Sequence, residues 1–235
     1  MDKVTVSLNG VETHPFESFD DVVAYAASCK KILVAVNAHK IINATEETRR
    51  IINNNIGYAD GLGAVLALKQ KGAKQAVKIP GCELWLKIIE KYSKSKTFYF
   101  VGGEKAVISD VINRVKYDFP EINIVNFRDG YIKTEAEENR LIKDIEVTRP
   151  DVVFVAMGSP KQELLMQKMY AVHTAIYQGL GGSFDVYTNK VNRAPKLWVT
   201  LHLEWAYRWL KEPKLRTKRN LDLFKFFWCY LFKKL

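Results

Sequence analysis

The stretch from Asp151 to Glu163 constrains the fold more than any other part of the chain. Asp151 to Met157 is a short, nearly unbroken apolar run, the pattern of a strand buried on both faces. Gly158 permits a sharp turn. Ser159 is a natural helix N-cap, and Pro160 suits the first helical position, where its missing N–H costs nothing. Gln162 and Glu163 then open an amphipathic helix that runs through Tyr170. A buried strand turning into a helix N-terminus presents unpaired backbone N–H groups to an anion. Taken alone, the stretch fits an ordinary βα junction equally well.

The same alternation recurs along the chain. Val4 to Leu8 reads as an edge strand, Phe19 to Ser28 as a helix and Lys31 to Val36 as an apolar strand ending in Asn37-Ala38-His39-Lys40. Thr45 is the expected N-cap of a helix whose body is Thr48 to Asn54. Ile56 to Gly63 is a short strand meeting a glycine-rich turn, with Ala64 to Lys71 helical behind it. Glu83 to Ser93 shows the helical apolar period. Thr97 to Val101 is a strand entering Gly102-Gly103, and Glu104 to Phe119 is its helix. Ile122 to Phe127, a loop at Arg128 to Tyr131, a helix over Thr134 to Thr148 and a last strand at Ala175 to Leu180 complete the series. Glycines fall repeatedly after strand C-termini. The pattern predicts a Rossmann-like, doubly wound, mostly parallel α/β sheet with its site along the carboxyl edge.

Around Asn189 the character changes, which predicts two parts: an α/β body over residues 1–189 and a basic, aromatic helical appendage over residues 190–235. From Lys190 onward, twelve Lys and Arg face only Glu204, Glu212 and Asp222, so nearly all of the formal charge of +10 lies there. Trp198, Trp205, Trp209, Phe224, Trp228 and Phe232 are interleaved with those cations. That mixture suits a helix lying on anionic lipid, and it also suits contact with a nucleic-acid backbone. Phe224 to Phe232 is too apolar for a simple nucleic-acid arm, so a membrane surface is the expected partner, and nucleic acid is not. No window is long enough to span a bilayer, and the start of the chain shows no apolar signal region. Cys29, Cys82 and Cys229 are widely spaced and lack a metal-ligand pattern, which predicts reduced thiols in the cytoplasm.

Asp60 is the sharpest candidate for chemistry. It follows a short apolar segment and precedes Gly61, where a carboxylate can act as a general base towards a hydroxyl; an Asp-Gly turn is the simpler reading. Asn37 ends the preceding strand and can contact a polar ligand. Gly102, Gly103, Gly181 and Gly182 follow strands and allow close backbone approach to a phosphate, although neither pair completes a G-x-G-x-x-G fingerprint. Gly158, Ser159 and Gln162 surround the predicted helix N-terminus, and Tyr131 can stack on a nucleobase. No zincin-like or D-x-D spacing occurs, so no metal site and no cofactor are expected.

Several segments together resemble the WecG/TagA/CpsF glycosyltransferases of bacterial cell-surface polymer synthesis. They are Asn37 to Ile41, Ala59-Asp60-Gly61, Val101-Gly102-Gly103, Asp129-Gly130-Tyr131, Met157 to Glu163, Gly181 to Val186, Val191 to Pro195 and Leu203 to Arg208. Ala156-Met157-Gly158 and Asp185 to Thr188 are most similar to the branch that transfers N-acetylmannosaminuronic acid in enterobacterial common antigen synthesis. The resemblance implies an inverting, metal-independent enzyme with a UDP-sugar donor carrying an N-acetylmannosamine-type residue. The implied acceptor is undecaprenyl-diphosphate-linked N-acetylglucosamine, met at the inner face of the cytoplasmic membrane by a peripheral protein. It further implies Asp60 as base, Asn37 and Gln162 in the same pocket, and an appendage that completes the site. Arg193 and Arg208 are the cations expected to neutralise the leaving diphosphate. Two places depart from the family pattern: Lys78 with Gly81-Cys82-Glu83, and the basic run at Lys214, Arg216, Lys218 and Arg219. The first leaves the donor sugar open. Self-association is left open by the apolar appendage. A second reading is a non-catalytic nucleotide-binding module docked by its tail on membrane or nucleic acid.

Overall fold

Successive residues of the central strands point into two separate apolar layers, and the architecture follows from that alternation. A computed structural model describes residues 3–191, 194–200, 204–211 and 213–235. The chain begins with β1 (Val6–Leu8), β2 (Val11–Thr13), α1 (Phe19–Cys29), β3 (Ile32–Val36), α2 (Ala38–Asn43) and α3 (Glu46–Asn53). β4 (Ile56–Ala59), α4 (Leu62–Gln70), α5 (Gly81–Tyr92), β5 (Thr97–Gly102), α6 (Lys105–Asp118) and β6 (Asn123–Arg128) follow. Next come α7 (Glu135–Thr148), β7 (Val152–Ala156), α8 (Lys161–Val172), β8 (Ile176–Gly179) and α9 (Ser183–Tyr187). The chain ends in α10 (Lys196–Thr200), α11 (Glu204–Lys211) and α12 (Pro213–Leu231).

β3 to β8 form a six-stranded sheet in the order β4-β3-β8-β7-β5-β6, parallel at every pairing. Parallel neighbours require crossover connections, whose helices cover both faces. On one face Val153 and Val155 of β7 join Tyr99, Val101, Leu165 and Met166. On the other, Phe154 meets Trp85, Phe98, Phe100 and Phe184, with the Trp85 ring 5.8 Å from both Phe154 and Phe184. Burying each such side chain contributes about 1.5–3 kcal/mol. The fold is thus α/β and Rossmann-like, and the carboxyl ends of all six strands lie along one edge.

Two local expectations change. The N-terminal strand does not edge this sheet. Asn9 and Gly10 have φ of 52° and 78°, the backbone of a two-residue hairpin turn, so β1 folds straight back onto β2 with Leu8 opposite Val11. Ser159 is also not the cap of α8. The cap position falls on Pro160, no side chain caps it, and the Gln162 N–H already donates to the Gly158 carbonyl at 2.9 Å, so the turn begins earlier. The Ser159–Pro160 peptide is cis.

The C-terminal helix lies against the body. Phe226 of α12 is fully buried with Ala38 and Ala64, and a Cβ added to Gly63 would come 3.0 Å from its ring. Asp222 is buried too, and its Oδ2 lies 2.7 Å from His39 Nδ1 on α2. The Gln70 side-chain amide donates to the Tyr230 carbonyl at 2.9 Å.

Candidate active site at the carboxyl edge of the sheet

Asn37 and Asp60 leave adjacent strands side by side. β3 and β4 pair to their last residues, Val36 with Ala59, and the Asp60 N–H continues the ladder to the Val36 carbonyl at 2.9 Å. Asn37 then caps α2, its Oδ1 accepting from the Lys40 N–H at 3.1 Å. The cap occupies the amide oxygen and leaves the NH2 as the group suited to a ligand. Asp60 Oδ1 accepts from the Gly81 N–H at 2.8 Å, so the first turn of α5 fixes the carboxylate. Only a glycine permits that approach, because a Cβ on Gly81 would lie 2.8 Å from the Tyr58 hydroxyl. Tyr58 is fully buried; burial, then the Asp60 charge, push its phenol well up, so it stays protonated. Beneath it Gln178 Nε2 donates to the Gly81 carbonyl at 3.2 Å.

Gln162 has a more internal position than its place in the sequence suggests. It is 4% exposed, its Oε1 accepts from the Gly181 N–H at 2.9 Å, and its Nε2 donates to Glu163 Oε1 at 3.2 Å. A Cβ on Gly179 would stand 2.4 Å from that Nε2, so the glycine makes room for the amide. Glu163 in turn pairs with Lys40 at 2.7 Å, the side chains being 1% and 12% exposed. Burial pushes the Glu163 carboxyl up, but the Lys40 charge and the hydrogen bonds from Lys40 and Gln162 outweigh it and hold the group below its ordinary value. The chain Lys40–Glu163–Gln162–Gly181 ties together the junctions that follow β3, β7 and β8. Lys40 and Glu163 are the residues that sequence reasoning missed. Each lies inside a segment quoted above, but a charged residue in a first helical turn reads as solvated.

The other half of the edge is built from glycine turns. Gly102 has φ of 134°, and a Cβ there would fall 2.2 Å from the Ala156 carbonyl oxygen. Gly102→Ala is therefore expected to lower stability by at least about 1–3 kcal/mol from backbone strain alone, read as a fall in the thermal midpoint. Gly103, φ 68°, donates to the Ala156 carbonyl at 3.1 Å, and the Gly130 N–H reaches the Gly103 carbonyl at 2.9 Å. That bond draws the Asp129 to Tyr131 loop in over β5, leaving Tyr131 55% exposed. The Tyr131 hydroxyl lies 3.5 Å from Glu104, which also holds Lys190 at 2.6 Å. Gly158 and Gly181 have φ of 76° and 57°, with open space where a Cβ would be. Gly182 precedes the short α9 as its cap residue. Arg193 lies outside the described residues, as does the Arg208 side chain. Among the described residues, no three His, Cys, Asp or Glu side chains gather as a metal site.

A parallel sheet with an acidic residue, an amide and glycine turns along its carboxyl edge is a frame on which Rossmann-like proteins bind ligands. The family comparison specifies which. The glycosyl transferase WecG/TagA/CpsF family model matches residues 6–235, and the chain belongs to that family. It is a glycosyltransferase that uses a nucleotide-sugar donor, so the reading as a non-catalytic docking module falls away.

Proposed function

We propose that the enzyme is an inverting transferase that moves N-acetylmannosaminuronic acid or N-acetylmannosamine from UDP to undecaprenyl-diphosphate-linked N-acetylglucosamine, in cell-surface polysaccharide synthesis of the enterobacterial common antigen type. The observation that carries it is Asp60, held by the Gly81 N–H beside Asn37 at the carboxyl edge. Asp60 takes the proton of the acceptor hydroxyl as that oxygen attacks the anomeric carbon. The bond to the UDP oxygen breaks on the opposite face, UDP leaves with the electron pair, and the centre inverts through an oxocarbenium-like state.

The strand order supports one orientation of the donor. β4 and β5 are four strand spacings apart, about 19 Å at 4.8 Å each. The sugar belongs at the Asp60 end and the uracil against Tyr131 over β5. The diphosphate lies between, over the turns at Gly181, Gly158 and Gly103, with Arg193 and Arg208 of the appendage as its cations. Cys82 and Glu83, in the first of the two places that depart from the family pattern, adjoin the sugar end, since they follow Gly81, whose N–H bonds Asp60.

A peripheral place on the inner face of the cytoplasmic membrane fits α12, whose outer side exposes Phe224, Phe227, Trp228 and Leu231 beside Lys225, with Phe232 and Lys233 exposed just past its end. Among the described residues, no helix is long and apolar enough to cross a membrane.

The reading is tested with a panel of UDP-sugars (N-acetylmannosaminuronic acid, N-acetylmannosamine, N-acetylglucosamine, glucose) and a polyprenyl-diphosphate N-acetylglucosamine acceptor, with and without EDTA. Transfer of one N-acetylmannosamine-type sugar, unaffected by EDTA, is the expected result. Loss of transfer in EDTA overturns the metal-free mechanism, and no transfer with any donor overturns the substrate assignment.

A further inference from the structure

On the outer side of α2, a groove of about 520 Å³ lies between α12 and the β1–β2 turn, lined by Asn9, Ile42, Phe224, Lys225, Trp228 and Cys229. We propose that this groove holds the polyprenyl chain of the lipid-linked acceptor, close to its diphosphate. The inference rests on the acceptor proposed above and adds to it a binding site for the lipid tail.

The lining chemistry suits hydrocarbon. Four of its six residues offer aliphatic, aromatic or thiol surface. The polar end of Asn9 is already engaged, its amide donating to the Ile41 carbonyl at 2.8 Å. A sugar or peptide would need several convergent polar groups, which this lining does not supply, whereas an isoprenoid needs apolar area and no partner atoms.

Position then selects among apolar occupants. Ile42, in the last turn of α2, lies five residues or about 8 Å of helix from the cap residue Asn37, so the groove begins one short helix from Asn37 and Asp60. A headgroup reacting at Asp60 can therefore send its tail over the outer side of α2 and along α12, outside the contacts that Phe226 and Asp222 make with α2. At its outer end the groove meets the exposed side of α12, where Phe227 and Leu231 face outward, with Phe232 exposed just beyond the helix end. A chain leaving the groove there passes into a lipid layer rather than into water. Lys225 on the lining suits the phosphates of the same lipid. A second copy of this chain is a poor occupant, because the segment from Lys190 onward carries nearly all of the net positive charge and would face its own like.

The test uses the full chain in detergent micelles, with acceptors that differ only in polyprenyl length. Wild type is expected to prefer the long chain over a short, water-soluble one by about tenfold or more in kcat/KM, the effect of burying only two further CH2 groups. Phe224→Ala and Trp228→Ala, both on exposed positions, should remove most of that preference and leave the short acceptor unchanged. Leu231→Ala, outside the groove on the same helix, should keep it. Equal use of both chain lengths by wild type overturns the groove while the reaction stands. A photoreactive diazirine on the polyprenyl chain gives a readout independent of turnover. Adducts at Ile42, Phe224 or Trp228 that plain phospholipid does not compete away support the site. Adducts elsewhere, or none, overturn it even if no donor is transferred.

Discussion

Asp60→Asn is expected to cut turnover by about 10²–10⁴-fold, the range for removal of a general base, while the chain stays folded. Asparagine keeps the side-chain oxygen that accepts from the Gly81 N–H at 2.8 Å, so the start of α5 and the packing of Gly81 over Tyr58 are preserved. What it loses is the ability to take a proton from the acceptor hydroxyl. The fall should therefore appear in kcat, with the donor KM little changed, because a step made only in the transition state has been removed. Asp60→Ala provides the contrast. It removes the bond to Gly81 as well and should cost a further 1 kcal/mol or so of stability. Initial rates of UDP release and a thermal melt on both variants separate the two functions of the residue. If the asparagine variant turns over like wild type and only the alanine variant is impaired, Asp60 is a helix anchor and the base lies elsewhere.

That comparison bears on what could be read before the fold was known. β3, β5, β7 and β8 were legible because each is an apolar run closed by a glycine or a polar residue, and a parallel sheet buried on both faces requires such runs. Thr45 as the cap of α3 and Thr134 at the start of α7 were legible for a local reason: the cap and the N–H it serves are three residues apart. Asn37 was found as a candidate but not as the cap of α2, since a six-residue helix is too short to show an apolar period. The Asn9-Gly10 turn carries a local signal, a dipeptide suited to a two-residue turn, and it makes the first strand half of a separate hairpin and not an edge of the main sheet. Neither the docking of Phe226 against Gly63 nor the pairing of Lys40 with Glu163 has any local signature. Lys40 and Glu163 are 123 residues apart, and only the strand order brings β3 and β7 within one strand of each other. Charge reads as solvent exposure in a sequence, so a buried ion pair is the feature local patterns hide best.

Lys40→Met should therefore be among the most damaging single changes in the chain. It leaves the Glu163 carboxylate 1% exposed without its cation, and removing one partner of a buried pair typically costs about 3–5 kcal/mol. Urea unfolding at neutral pH measures it. A double variant with Glu163→Gln should recover much of the loss, since the uncompensated charge is then gone. The pH dependence distinguishes this account from a simple packing defect. In wild type Glu163 is held below its ordinary value, so its contribution is complete above the unfolded carboxyl pKa and fades as pH falls through the folded one. Without Lys40, burial acts with far less opposition and raises the carboxyl instead, so the folded variant binds that proton more tightly than the unfolded chain. Its penalty then eases on acidification. The stability gap between wild type and Lys40→Met should accordingly narrow from about pH 7 to about pH 4. A gap that stays constant over that range would mean that the pair contributes packing rather than charge. In that case the link from Glu163 through Gln162 to the Gly181 N–H would have to hold the turn without the ammonium.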